Sequence, residues 1–231
     1  MIKNLPIYFI AFILHISFTT ILLAQDDNTN LSSAAEYKLT FSSTWSSKTH
    51  PVRFPVNPHY SGLIGVTHKR NISLWEPNKA ASTGIKLMAE TGRKSSLIAI
   101  IDNHIVSNNA ETIISGQVLG NSPAEISVTF KVTENAPYVS VVCMLAPSPD
   151  WFVGVTGLHL KENGEWVGNK KIDLILYDAG TDSGTYYDAI NTQTLPKGVI
   201  TPLNSSKVGP FTNGAPSIGT FKFEKISQPS K

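Results

Sequence analysis

Glu125-Ile126-Ser127-Val128-Thr129-Phe130-Lys131-Val132 sets four apolar side chains in strict alternation with polar ones. Successive strand residues point to opposite faces, so this stretch has one dry face and one wet face and predicts a half-buried β-strand. Tyr37 to Phe41, Thr112 to Val118 and Gly219 to Glu224 alternate more loosely. Tyr138 to Ala146 is almost continuously apolar, which suits a central strand covered on both faces. Val153 to Leu160 and Lys171 to Tyr177 add two further strands. Only Ala80 to Glu90 reads as a helix, with Ser82 at its N-cap and Gly92 at the position that tolerates a left-handed backbone. Seven or eight short strands, one short helix and long loops predict an all-β fold, an antiparallel β-sandwich.

Composition agrees. The chain has 231 residues, 16 Gly and 14 Pro, and only 16% charged residues, which suits a turn-rich β protein. A hydrophobic fraction of 41% is too high for a disordered chain. Nineteen basic against seventeen acidic residues leave +2, which offers no basic field for nucleic acid. The single cysteine, Cys143, lies inside an apolar run and is expected as a buried thiol. Residues 1–24 read as a secretory signal: Lys3, an apolar stretch from Ile7 to Leu23, then Ala24 before Gln25. Leu22 makes the cleavage motif imperfect, and an uncleaved anchor is the alternative. Residues 25–35 read as a flexible leader, 36–226 as the domain and 227–231 as a tail, so the mature chain is expected to be secreted, extracellular or periplasmic.

Two segments after apolar strands carry the chemistry. Pro147-Ser148-Pro149-Asp150-Trp151 is stiffened by two prolines, and Tyr177-Asp178-Ala179-Gly180-Thr181-Asp182-Ser183-Gly184 sets two carboxylates four residues apart between glycines. Carboxylates about 4 Å apart repel by roughly 4 kcal/mol at an effective dielectric near 20. A hard divalent cation with oxygen ligands removes that repulsion, and Ca²⁺ suits a mixed carboxylate and carbonyl shell. The alternative is a pair of capped turns, with Asp178 and Asp182 bonded to nearby backbone amides.

Phe54-Pro55 with His59-Tyr60-Ser61, Leu63 to His68, Ala81 to Gly84 and Ala89 to Gly92 add further motifs, followed by Pro147 to Val155 and Asp173-Leu174 with Tyr177 to Gly184. In this order, over about Ala35 to Ile226, they resemble the spondin domain family of F-spondin and mindin. The resemblance implies an antiparallel β-sandwich similar to calcium-dependent membrane-binding sandwiches, with one Ca²⁺ at a loop cluster. The family's three aspartate ligands fall on Asp150, Asp178 and Asp182. It also implies a non-enzymatic role in adhesion or surface recognition, with an extracellular matrix protein or surface glycan as partner. No integrin-contact motif is evident, residues after 226 leave no room for thrombospondin repeats, and the lone Cys143 leaves no disulfide within the chain. A stand-alone spondin-domain protein is the expectation.

Competing readings have weaker signals. His59, His68 and His159 fit no zinc spacing. Ser61 with His68 lacks a nucleophile elbow, and nothing fixes the separation of Glu90 and Glu111 as a glycosidase pair. An extracellular hydrolase on the same sandwich is therefore one alternative function, and a calcium-dependent lipid-headgroup binder is the other, which leaves membrane contact open. Among Trp45, Trp75, Trp151 and Trp166, Trp151 is the candidate ligand edge because it adjoins Asp150, although tryptophan in a sandwich is more often packing.

Overall fold

The computed structural model describes residues 34–203, 209–211 and 217–226. The expected signal segment, the tail and the leader up to residue 33 lie outside the described residues. The elements in chain order are β1 (Ala34–Ser43), β2 (His59–Tyr60), β3 (Ile64–His68), α1 (Thr83–Thr91), α2 (Ser95–Val106) and β4 (Ala110–Ser115). There follow β5 (Ala124–Thr133), β6 (Tyr138–Ala146), β7 (Trp151–His159), β8 (Lys161–Glu162), β9 (Glu165–Trp166) and β10 (Asn169–Leu174). The last are β11 (Leu176–Asp178), β12 (Thr201–Pro202) and β13 (Gly219–Ile226). Ala34 and Ala35, expected as the end of the leader, are paired strand residues opposite Thr133 and Val132.

Antiparallel pairing gives one sheet ordered β10-β13-β1-β5 and a second ordered β12-β11-β7-β6-β3-β4, with β2 on the end of β6 and β8–β9 a separate hairpin. The alternation of β1 explains the first sheet: Tyr37, Leu39 and Phe41 are fully buried on one face. Directly opposite stand Phe130, Val128 and Ile126 of β5, and on the other side Phe223 and Phe221 of β13 oppose Leu39 and Phe41. Phe41 meets Phe221 and Tyr60 edge-on, with ring centroids 5.2 and 4.8 Å apart.

β6 has no polar face because it has no solvent face. Val139, Val141, Cys143 and Leu145 point into the core between the sheets. Val142, Met144 and Ala146 point the other way, under a layer that includes Ile85, Met88 and Ala89 of α1 and Leu97 and Ile101 of α2. Each large aliphatic side chain buried this way contributes roughly 1.5–3 kcal/mol, which makes β6 the spine of the domain. The Cys143 thiol is buried as expected, and burial pushes its pKa up, so it is an inert apolar filler.

α1 forms as its caps dictate: Ser82 Oγ accepts from the Ile85 amide at 3.2 Å, and Gly92 takes φ +70° while its N–H reaches the Met88 carbonyl. The second helix corrects the expectation of one. α2 starts at Lys94 without a side-chain cap bond and ends at Ser107 without a glycine. Its interior holds β-branched Ile98, Ile100, Ile101 and Ile105, so propensity and punctuation are both silent, and packing on the sheet decides. The expected Lys171–Tyr177 strand is two strands, β10 in one sheet and β11 in the other, with the chain crossing at Ile175. Among the described residues no helix is long and apolar enough to cross a membrane.

Candidate metal centre

Both aspartate segments arrive at one corner because β11 pairs with the start of β7. Asp178 lies opposite Trp151, so Asp150 and the loop leaving β11 are neighbours by register. The Ala179 amide donates to the Asp150 carbonyl at 3.2 Å, which fastens the corner further. Pro149 then sets the spacing: a Cβ on Gly184 would stand 2.6 Å from Pro149 Cγ, so only glycine lets the loop close there. Gly180 has φ +72° and an equally tight approach, 2.8 Å from the Gly198 carbonyl carbon.

Asp150 is fully buried. Its Oδ2 accepts from the Thr181 amide at 2.7 Å, the Thr181 hydroxyl at 3.0 Å and the Asp182 amide at 3.0 Å. Its Oδ1 is buried with no hydrogen-bond partner. Asp178 Oδ1 accepts from the Gly180 amide at 2.6 Å. Asp182, 6% exposed, closes the next loop, with Oδ1 on the Gly184 amide at 2.8 Å and Oδ2 on the Thr192 amide at 2.9 Å. The capped-turn alternative is therefore present in the geometry at Asp178 and Asp182, while Asp150 is the buried carboxylate that both turns surround.

Burial and charge act on Asp150 and Asp178 together. Burial first, then the neighbouring Asp178 charge, raise Asp150 to about 7, against the pull of the Thr181 and Asp182 donors. Burial also raises Asp178, with Asp182 adding to it and the Gly180 amide and Trp151 indole opposing it. The Trp151 N–H makes no hydrogen bond of good geometry, so its effect on Asp178 is one of proximity. As the side chains stand, no group of three or more Asp, Glu, His or Cys among the described residues is arranged to hold a metal ion. The donor chemistry nevertheless fits a hard cation: carboxylate oxygens, one of them buried and unpartnered, in a corner where two acids repel. Asp150, Asp178 and Asp182 are the residues that would hold it, and its charge would neutralise theirs.

Trp151, expected as a ligand edge, is 2% exposed and packs against Tyr187 and Phe211 in the core. Trp45 and Trp75 are likewise buried, so these three tryptophans form no sugar platform. His59 bonds the Asn57 carbonyl, while His68 and His159 both stack on the Tyr138 ring, so the three histidines do not converge on a shared metal position. Ser61 Oγ accepts from the Met144 amide rather than meeting His68. His68 does touch a serine, Ser140, at 2.8 Å, but both are fully buried and Nδ1 lies 2.7 Å from a backbone carbonyl instead of a carboxylate. Glu90 pairs with Lys86, and Glu111 accepts from Thr133.

Sequence reasoning passed over Thr181 and Thr192: both bond the aspartates through backbone amides that no residue pattern encodes, and Thr181 adds its hydroxyl. It also passed over Arg53, whose guanidinium grips Asp188 at 2.6 and 2.8 Å and lies 4.2 Å from the Tyr186 ring centroid. That bond ties the Arg53 loop to the loop that Asp182 closes. An arginine in one loop and an acid in another, 135 residues apart, give no local signal.

The fold and corner together define an antiparallel sandwich with an acidic, loop-borne site at one sheet end. Residues 35–213 match the Spondin_N family model, and the chain belongs to that family. Spondin-1 of Gallus gallus is 39% identical over 180 residues, covering 74% of this chain and 22% of its own. Spondin-2 of Homo sapiens is 32% identical over 176 residues, covering 74% of this chain and 53% of its own. Spondin-2 of Rattus norvegicus is 31% identical over 206 residues, covering 84% and 62% respectively. The chain thus spans less than two thirds of each relative, and none of the three bears an enzyme's name.

Proposed function

We propose that this spondin-domain protein is secreted and non-enzymatic, and binds one Ca²⁺ through Asp150, Asp178 and Asp182. It works in adhesion or surface recognition, with an extracellular matrix protein or surface glycan as partner. The observation that carries the reading is the buried, unpartnered Oδ1 of Asp150 beside a second carboxylate whose charge opposes its own. Such an oxygen is costly to leave unsatisfied, and a cation shared with Asp178 would satisfy it. The ion would pin the loop after β11 against the Pro147–Trp151 corner and stiffen that end of the sandwich. Kinship with spondin-1 and spondin-2 supports the extracellular setting and the recognition role.

Thermal melts with calcium and with EGTA test it. A ligand at a hundred times its dissociation constant stabilises the native state by about 2.7 kcal/mol, so melting should rise with calcium and fall with chelator. Identical melts in both would refute the ion. A glycan and matrix-protein array, run in calcium and in EGTA, then identifies the partner.

A second reading, calcium-dependent binding of a lipid headgroup, is favoured by Val56 and Ile190. These are 103% and 88% exposed, on the two loops that Arg53 and Asp188 join. Sedimentation with anionic liposomes, with and without calcium, separates it from the first.

A further inference from the structure

His68 of β3, Ser140 of β6 and Gly157 of β7 meet at one point, and the first two are fully buried. His68 Nδ1 lies 2.7 Å from the Lys69 carbonyl and Nε2 lies 2.8 Å from Ser140 Oγ. The Gly157 amide donates to Ser140 Oγ at 2.9 Å. A carbonyl only accepts, so Nδ1 carries the hydrogen and Nε2 of the neutral ring accepts the serine hydroxyl. The chain then runs one way, from the Gly157 amide through the Ser140 hydroxyl and the imidazole to Lys69, with each polar atom satisfied.

The contact sits where the sheet's own ladders are interrupted. The β3–β4 register shifts between Val66 and His68, and the β6–β7 register shifts between Val139 and Val141. Gly157 has φ +61°, a kink within β7. Beyond Val153, β11 no longer accompanies β7, so this half of β7 has β6 as its one strand partner among the described residues. Side chains here replace missing ladder bonds.

We propose that His68, Ser140 and Gly157 form a proton-sensitive clamp, in which the neutral imidazole fastens the kinked half of β7 to β6 and β3, and protonation releases it. A proton on Nε2 turns that atom into a donor aimed at Ser140 Oγ. The oxygen has lone pairs for both Nε2–H and the Gly157 amide, but the hydroxyl hydrogen loses its buried acceptor, and turning Ser140 toward another acceptor draws Oγ off the Gly157 amide.

The groups around the ring do not relieve that conflict. From α2, His104 opposes a charge on His68, and from β6 the Tyr138 ring stacks on it at 6.1 Å. Tyr138 is stacked in turn by His159 of β7 at 4.5 Å. From β4, Glu111 follows the paired Ala110 but accepts the Thr133 hydroxyl. Burial lowers the His68 pKa, and the Lys69 carbonyl offsets part of this. Gly157 and its neighbours Thr156 and Leu158 form one wall of a groove of about 460 Å³ that Trp75 and Tyr177 complete, so release of the clamp alters that groove.

Imidazole ¹⁵N spectra and amide-exchange protection of the whole protein, followed from about pH 8 to about pH 5, test the clamp. The expected result is an Nδ1–H tautomer at the upper end. The Gly157 protection factor should fall at least tenfold on the same midpoint as His68 titration. An Nε2–H tautomer, a ring still neutral at the lower end, or Gly157 protection unchanged through the titration overturns it. Ser140→Ala should leave Gly157 weakly protected at each pH, and His68→Gln should remove the pH dependence. Should either variant fail to fold, the wild-type titration decides.

Discussion

Replacing Asp150 with asparagine should have opposite effects with and without calcium. Asparagine keeps an oxygen for the Thr181 and Asp182 donors and places an amide where Oδ1 has no partner. In chelator the change removes a buried charge. The rise from 3.8 to about 7 corresponds to about 4 kcal/mol that the ionised form costs relative to the neutral one. That figure is already net of the Thr181 and Asp182 donors, whereas the new amide N–H groups, placed where Oδ1 has no partner, cost about 2 kcal/mol and leave a gain of about 2 kcal/mol. For a domain of this size that raises melting by about 4–8 °C in EGTA at about pH 8.

The pH dependence has a definite sign. A folded pKa above the unfolded one means the native state holds the proton more tightly. The contribution is full below 3.8 and is lost as pH rises through about 7. Wild type in EGTA should therefore lose stability across that window on Asp150's account, and Asp150→Asn should lack this loss. With calcium near millimolar the order changes: wild type gains about 2.7 kcal/mol at a hundred times its dissociation constant, and the variant gains nothing. Differential scanning calorimetry in the two buffers reads both. A variant that melts below wild type in EGTA at about pH 8 would refute the reasoning, because the Asp150 charge would then be stabilising without an ion.

Asp178→Ala should abolish the calcium-dependent melting shift while leaving the EGTA melt within about 1 kcal/mol of wild type, since one Gly180 contact is lost and one repulsion relieved. Gly184→Ala should cost about 1–3 kcal/mol in urea unfolding, because its Cβ would meet Pro149 Cγ at 2.6 Å, and should weaken calcium binding with it. Ser82→Ala should cost about 1 kcal/mol by loss of the Ile85 cap without changing the calcium response, which makes it the stability control.

Alternation and punctuation account for what could be read from sequence. The strict period of Ile126, Val128, Phe130 and Val132 locates a half-buried strand, and the unbroken run in β6 marks a strand covered twice. Ser82 and Gly92 bracket α1 because caps are local chemistry. The break at Ile175 is not local. Nothing in Lys171 to Tyr177 says that the chain leaves one sheet and enters the other, since both halves keep strand character. At the acidic corner, each segment could be placed at a strand end, but that the two ends meet came only with the family resemblance, and carboxylate direction has no period. Whether Asp182 turns toward its neighbours or toward its own loop is set by the Gly184 and Thr192 amides. Trp151 was legible in part: it shares a face with Val153 and Val155, and that face is the core.

Isothermal titration of Ca²⁺ into the chelator-treated protein, near neutral pH and in two buffers of different ionisation enthalpy, bears most directly on the three aspartates. One site per chain should appear, with proton release to the buffer as Asp150, poised near 7, gives up its proton to the ion. Asp150→Asn should show no such heat. Absence of saturable binding at millimolar calcium in the wild type would contradict the metal centre, leaving the corner as capped turns around a buried acid.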